Sequence, residues 1–433
     1  MLVMSFTWRP LPVLGVALIG LAGNAGPAYS QIPYLGLGQI ESPLEEYSVL
    51  GRSRPEYDPQ GLPLGAFRAY PTLTFGASYD DNVLRTSSDH QGDFVFEASP
   101  AIEVRSQWVR HYFALSAGAT DYRLARLSSE NRTEWDVAAG GRLDVLTGFN
   151  LSGAVSYAST FEARTSQDQS GAERPTPYNT SGARAAVSWN PFRFGVQLGA
   201  AVQRFEYGNT VLTPAFGGGE QNNHDRDRNV YSSYTTLLYE FSPGYGAFVR
   251  PSFEKVVYDL QTGRATGRDS TSHRVDSGVS LLLTRLITGE VYLGYLHYDF
   301  EGSNFSDLSG LDYGARLSWY PSELVTVHLN ASRTPTATTL SGASVADDRM
   351  VEVGADYELL RNVIVQGGLA YSNTRFDGTS RIDEDLSARL GMRYLLNRHL
   401  AANFSYARST RASSESGFGF VDNTVSIALT GRL

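Results

Sequence analysis

From about Phe67 to the end of the chain, apolar residues alternate with small or polar ones in short runs. In the last run Val425, Ile427 and Leu429 fall on one side, and Thr424, Ser426, Ala428, Thr430 and Arg432 on the other. The same split separates Leu73, Phe75, Ala77 and Tyr79 from Thr72, Thr74, Gly76 and Ser78. It recurs at Tyr313, Ala315, Leu317 and Trp319, and again at Val351, Val353, Ala355 and Tyr357. Successive strand residues point to opposite faces, so each run predicts a β-strand with one oily and one wet face.

The breaks between runs alternate in length. Short turns fall near Thr147-Gly148, Asn190-Pro191, Ser242-Pro243-Gly244, Pro321-Ser322-Glu323, Arg361-Asn362 and Asn397-Arg398. Long polar loops fall near Asp80 to Gly92, Glu162 to Pro177, Gly208 to Asp227, Leu260 to Thr271, Pro335 to Asp347 and Arg411 to Gly419. Tight periplasmic turns facing long extracellular loops are the pattern of outer-membrane barrels. The expected fold is all-β: a transmembrane antiparallel up-and-down β-barrel of about eighteen strands, each roughly 10 to 14 residues long. Closure is required because an unpaired backbone N–H or C=O in hydrocarbon costs several kcal/mol. The inward candidates are Ser, Thr, Gly, Asp, Glu and Arg, which suit a hydrated lumen and would be costly in a dry soluble core. Trp135, Trp189, Trp319, Tyr239, Phe241, Tyr320 and Tyr394 lie near predicted strand ends, where a membrane interface places amphipathic rings.

Composition agrees: Gly 43, Tyr 25 and Phe 21 are high and Met 4 is low, with 42% hydrophobic residues. The chain has no cysteine, which excludes disulfides and thiolate metal sites. The net charge of -9 gives no basic patch for nucleic acid. Arg9 followed by the apolar run Leu11 to Gly23 and by Ala28-Tyr29-Ser30 predicts a signal peptide over residues 1–30, cut near Ser30/Gln31. Residues 31–66 show neither strand nor helix period and are rich in Pro, Gly and charge. They are expected to form a partly disordered periplasmic extension, or to lie at the barrel mouth, before the barrel proper at 67–433.

Alternation puts Asp136, Arg142, Asp144, Arg184, Arg250, Glu254, Arg274, Asp276, Arg316, Glu352, Asp356, Arg389 and Arg393 on the wet face. These are lumen-lining candidates that could tune solute passage. Equally, they could pair across strands and keep a polar wall satisfied. Asp80-Asp81-Asn82 offers oxygen ligands without the spacing of a calcium loop and reads better as a turn with local hydrogen bonds. His224-Asp225-Arg226-Asp227-Arg228 reads as a solvated charge cluster, or as a contact for lipopolysaccharide phosphates. His328, Asn330 and Ser332 share one face, but successive members stand about 7 Å apart along a strand, too far to hydrogen-bond one another. No catalytic, cofactor or metal residue is assigned, and an enzyme is not expected.

One stretch carries a resemblance. Arg54-Pro55-Glu56-Tyr57-Asp58-Pro59, Gly61, Leu64-Gly65-Ala66-Phe67, Tyr70-Pro71 and Tyr79-Asp80-Asp81-Asn82-Val83-Leu84-Arg85-Thr86 resemble the entry region of the putative β-barrel porin 2 family of Gram-negative outer-membrane proteins. The resemblance implies an outer-membrane location and a channel. Some members look associated with exopolysaccharide secretion beside a periplasmic export protein. An exopolysaccharide export barrel is therefore the first expectation, with outer-membrane lipid, lipopolysaccharide and such a periplasmic protein as partners. A general diffusion porin for small hydrophilic solutes, or a non-conducting structural barrel, are the alternatives.

Overall fold

The computed structural model describes residues 48–166, 171–214, 217–281 and 286–433. The signal peptide expected over 1–30 and residues 31–47 of the expected extension lie outside them. The main sheet has nineteen strands, of which Leu62–Leu64 is a three-residue piece; the other eighteen are long. The first nine are Phe67–Asp80, Asp93–Ser106, Tyr112–Leu124, Arg132–Leu146, Phe149–Phe161, Pro177–Trp189, Phe194–Tyr207, Arg228–Ser242 and Tyr245–Tyr258. The second nine are Ser270–Leu281, Ile287–Phe300, Leu308–Ser322, Val325–Ala337, Val345–Leu360, Val363–Phe376, Ile382–Asn397, Leu400–Ser413 and Phe420–Arg432. Each pairs antiparallel with the next, and the last pairs with the first through Phe75 opposite Leu429. The ring is therefore a closed up-and-down barrel with no free edge, as a strand in lipid requires.

The outward parity of every strand is apolar. Phe75, Leu293, Leu369, Leu390 and Val425 are each more than half exposed in mid-strand. An apolar belt of that extent would be unstable against water and is at rest against acyl chains. Trp135, Trp189, Trp319, Tyr239, Phe241 and Tyr394 also face outward. Tyr320 corrects the expectation: it points inward from the position after Trp319, is 8% exposed, and its hydroxyl lies 3.2 Å from Thr288 Oγ1.

All six expected tight turns fall where the alternation breaks. In one of them Gly148 adopts φ +74° and a Cβ there would strike the Asn190 carbonyl oxygen, so glycine is required. The loop expected from Pro335 to Asp347 is shorter, because strands extend to Ala337 and resume at Val345. That stretch read as loop because both its faces are polar or small.

Residues 48–64 do not hang away from the barrel. Leu62–Leu64 pairs back on Phe67–Ala69. Ahead of it, the chain runs along the short-turn end of the ring, from Thr326 past Glu358 and Arg398 to Arg432. There Val49, fully buried, donates its N–H to Thr326 Oγ1 at 2.9 Å.

Candidate functional site

The inner wall is built by the parity opposite to the apolar belt, and that parity holds all thirteen charged candidates. Several meet a partner on the same face. Arg142 lies 3.1 Å from Asp144, two residues along one strand. Arg250 meets Glu290 at 2.8 Å and donates to Thr236 Oγ1. Arg274 meets Asp312 at 2.9 Å, and Asp276, 3% exposed, stands over Gly294, where a Cβ would collide with it. Asp356 accepts from Gln366 at 2.8 Å and faces His328 at 3.0 Å. Arg393 donates to Asn403, and Glu352 accepts from Asn330 at 3.5 Å. Asp136 stands over Gly118. Arg316 is exposed on this face, and Arg389 shares its parity. Arg184 and Glu254 line a cavity described below.

His328 finds across strands the partners it lacked along its own. Its Nδ1 lies 3.1 Å from Ser318 Oγ, and its Nε2 faces Asp356. The order serine, histidine, aspartate is that of a nucleophilic relay. Acyl transfer also needs N–H donors for a developing oxyanion. The backbone of Ser318 is engaged on both sides, opposite Thr288 and His328 in the ladder. The arrangement is a satisfied polar cross-link of three strands.

Both ends of the bore carry chain outside the strands. At the short-turn end, Glu358 accepts from Arg54 at 2.6 Å and from Arg52 at 2.7 Å. Arg54 is 3% exposed and also donates to the carbonyls of Val49, Arg52 and Arg361. Arg398 and Arg432 donate to the carbonyls of Pro55 and Tyr57. At the long-loop end, residues 162–166 leave the fifth strand and turn inward. Thr165 O accepts from Arg411 at 2.8 Å, and Arg411 stands on the seventeenth strand, six steps around the ring. Glu162 forms a buried bidentate pair with Arg226, whose guanidinium lies 4.0 Å from the Tyr207 ring centroid.

Arg226 and Arg228 overturn the reading of their segment as solvated or lipopolysaccharide-facing. Arg226 is 2% exposed, and Arg228 packs over Phe205 at 4.5 Å on the inner side. Their neighbour Asp225 ties two loops together through Arg264, whose Nη2 donates to its Oδ1 at 2.7 Å. Burial pushes the Asp225 carboxyl up, but the Arg264 hydrogen bonds and charge outweigh this and hold it below its ordinary value. The Asp80-Asp81-Asn82 stretch is the locally bonded loop the sequence favoured. Asn82 donates to the carbonyls of Thr86 and Val421, and Asp80 and Asp422 share Arg85. Asp81 approaches the same carboxylates, with Arg85 already serving as their cation.

Beneath the inward loop lies a cavity of about 380 Å³. Arg184, Arg226, Arg228 and Arg411 line it with Glu162 and Glu254, beside Tyr178, Phe205, Tyr207 and Val256. Glu290 and Asp312 were legible by parity and went unselected. Glu162 and Arg226 were not legible, and neither was the reach of Thr165 to Arg411, because contacts made by a loop carry no sequence period.

A family model described as Putative beta-barrel porin 2 matches residues 54–433. No curated protein matches the chain. Solved structures similar to it include Pseudomonas aeruginosa OccK2 (OpdF) in complex with glucuronate, 14% identical at a TM-score of 0.45, over 86% of this chain and 100% of that one. A BenF-like porin from Pseudomonas fluorescens is 12% identical at 0.43, over 84% and 99%. Acinetobacter baumannii OccAB4 is 10% identical at 0.42, over 84% and 98%.

Proposed function

The chain belongs to the Putative beta-barrel porin 2 family, and from that membership we propose that it is an outer-membrane channel through which small hydrophilic solutes diffuse. The supporting observation is the inward loop, pinned to the far wall by Arg411 and to the loop at 208–227 by Arg226, which narrows a polar bore without lining it in oil. A narrowed, charge-mixed passage sieves by size and admits hydrated solutes. Polymer export, the first expectation, draws less support: residues 162–166 reach across to Arg411 where a growing chain would pass, and residues 48–59 take up part of the opposite rim. The outer belt is read as the contact with lipid and lipopolysaccharide, and this function requires no periplasmic export partner.

Purified full-length protein in planar bilayers should give stepwise KCl conductance with no added partner. Liposomes containing it should swell in small sugars and not in dextrans. Bilayers that stay silent, with insertion shown by protease protection, would remove the channel reading.

A further inference from the structure

We propose that the cavity beneath residues 162–166 is a binding site for small amphipathic monocarboxylates, held by Arg228 at one end and an apolar strip at the other. The proposal rests on the channel reading only for how such a molecule arrives. Two independent features of the wall carry it.

Arg228 is a guanidinium without an acid. Its hydrogen bonds go to Arg226 O at 3.2 Å and to the Tyr207 hydroxyl at 3.4 Å, both neutral. Rings of Phe205, Tyr207 and Tyr258 surround it at 4.5, 5.6 and 5.8 Å. Among the described residues no carboxylate lies within ion-pair reach of it, whereas Arg226, Arg250, Arg274 and Arg333 each have one. Ring faces offset part of the cost of taking a cation out of bulk water, and a charge-assisted hydrogen bond would offset more. An incoming carboxylate supplies that bond.

The second feature is apolar. Tyr178, Phe205 and Tyr207 form one buried cluster, Val256 and Tyr258 another, and Val230 packs against both. These side chains share the inner parity, which elsewhere carries mostly serine, threonine, glycine and charge, with single apolar residues such as Phe248, Leu296 and Ile364. Hydrocarbon on the wall of a wet bore gains by being covered, at roughly 25 cal/mol per Å². A cation beside an oily strip selects a ligand with an anion beside an oily body. A neutral sugar offers Arg228 only uncharged acceptors, and an inorganic anion gains nothing from Val230 and Val256. Arg228 is the guanidinium that one carboxylate would serve, and Glu254 on the same cavity wall offsets part of the positive charge around it.

The test is calorimetric titration of the folded full chain in detergent with sodium cyclohexanecarboxylate, sodium acetate and cyclohexylmethanol. The first should bind at one per chain, at least tenfold tighter than either of the others, which lack the body or the charge. Arg228→Met should weaken cyclohexanecarboxylate at least tenfold. Val230→Ser should weaken it severalfold and leave acetate unchanged. Should Arg228→Met fail to fold, the three-ligand ranking on the unaltered chain and Val230→Ser still decide. Equal binding of acetate, or unaltered affinity in folded Arg228→Met, would overturn the site. Conductance is read separately: intact steps without binding remove the site alone, and binding without steps removes the channel alone.

Discussion

The two ends of the bore are obstructed by different means. At the long-loop end the obstruction is a segment joined to the barrel on both sides, between the strands Phe149–Phe161 and Pro177–Trp189. At the short-turn end it is residues 48–59, which lead into the barrel through the three-residue strand Leu62–Leu64. Both are pinned by buried arginine–carboxylate pairs, Arg226–Glu162 in one case and Arg54–Glu358 in the other. The difference lies in what happens when a pin fails. A loop held at both ends cannot carry its charge far from the wall. Residues 48–59 lie at the rim of the short-turn end, where loss of the carboxylate lets Arg52 and Arg54 turn toward water. The same bond therefore makes a fixed constriction above and a releasable one below.

Glu162→Ala is the strongest way to break that contrast. It removes the carboxylate from a pair whose side chains are 2% and 6% exposed. Truncating one member of a buried pair costs about 3 kcal/mol, and the loop has little freedom to relieve it. The urea midpoint of the lipid-inserted barrel should fall, and single-channel conductance should rise as 162–166 loosens. An unchanged midpoint would mean that Arg226 is satisfied without Glu162.

Glu358→Ala should cost less, about 2 kcal/mol, because release re-solvates Arg52 and Arg54. Its signature is different. Conductance should rise, and protease added from the short-turn side should cut within 48–60 while the barrel stays intact. If Glu358→Ala lowers barrel stability as much as Glu162→Ala does, the two ends do not differ in the way described.

The contrast also explains what the sequence disclosed. Alternation exposes every residue whose position follows from the pleat, so Arg250, Asp276 and Asp356 could be placed on the inner face from Val249, Val275 and Tyr357 beside them. Glu162, Arg226 and Thr165 obey no period, and their partners depend on how a loop folds across the ring. Residues 48–59 were read as extension or barrel mouth, and their contacts hid for the same reason: Arg54 meets Glu358 across more than three hundred positions of chain. Tyr320 shows the limit of aromatic position as a guide, since only parity, and not nearness to a turn, tells which face a ring takes.

Midway between the two ends, Gly314 sharpens the comparison. Tyr292 from the neighbouring strand lies flat on it, and a Cβ there would come within 2.4 Å of the ring. Gly314→Ala should push the ring into the bore at a cost of about 1 kcal/mol. Conductance should fall slightly while both obstructions stay pinned, read as unaltered protease resistance at 48–60. A larger loss of stability would show that the wall, and not its two ends, sets the strength of the barrel.

The smallest effect concerns the long-loop end alone and depends on pH. Asp225 is half-buried, which by itself raises its carboxyl, but Arg264 donates to it from backbone and side chain and holds it below the ordinary value. A carboxyl lowered on folding contributes stability above its unfolded pKa and loses that contribution as pH falls through the folded one. Acidification from neutrality should therefore leave the loops at 208–227 and 259–269 unchanged until below the usual carboxylate range. Past that point the Arg264 amide, normalised for its intrinsic exchange rate, should lose hydrogen-exchange protection. The segment at the other end is a control, because Asp225 makes no contact with it. Asp225→Asn should remove this acid step and leave the pH response of residues 48–59 as before. Were the step to survive in Asp225→Asn, the two loops would be joined by some other acid, and the fixed constriction would owe its hold to more than Arg226 and Arg411.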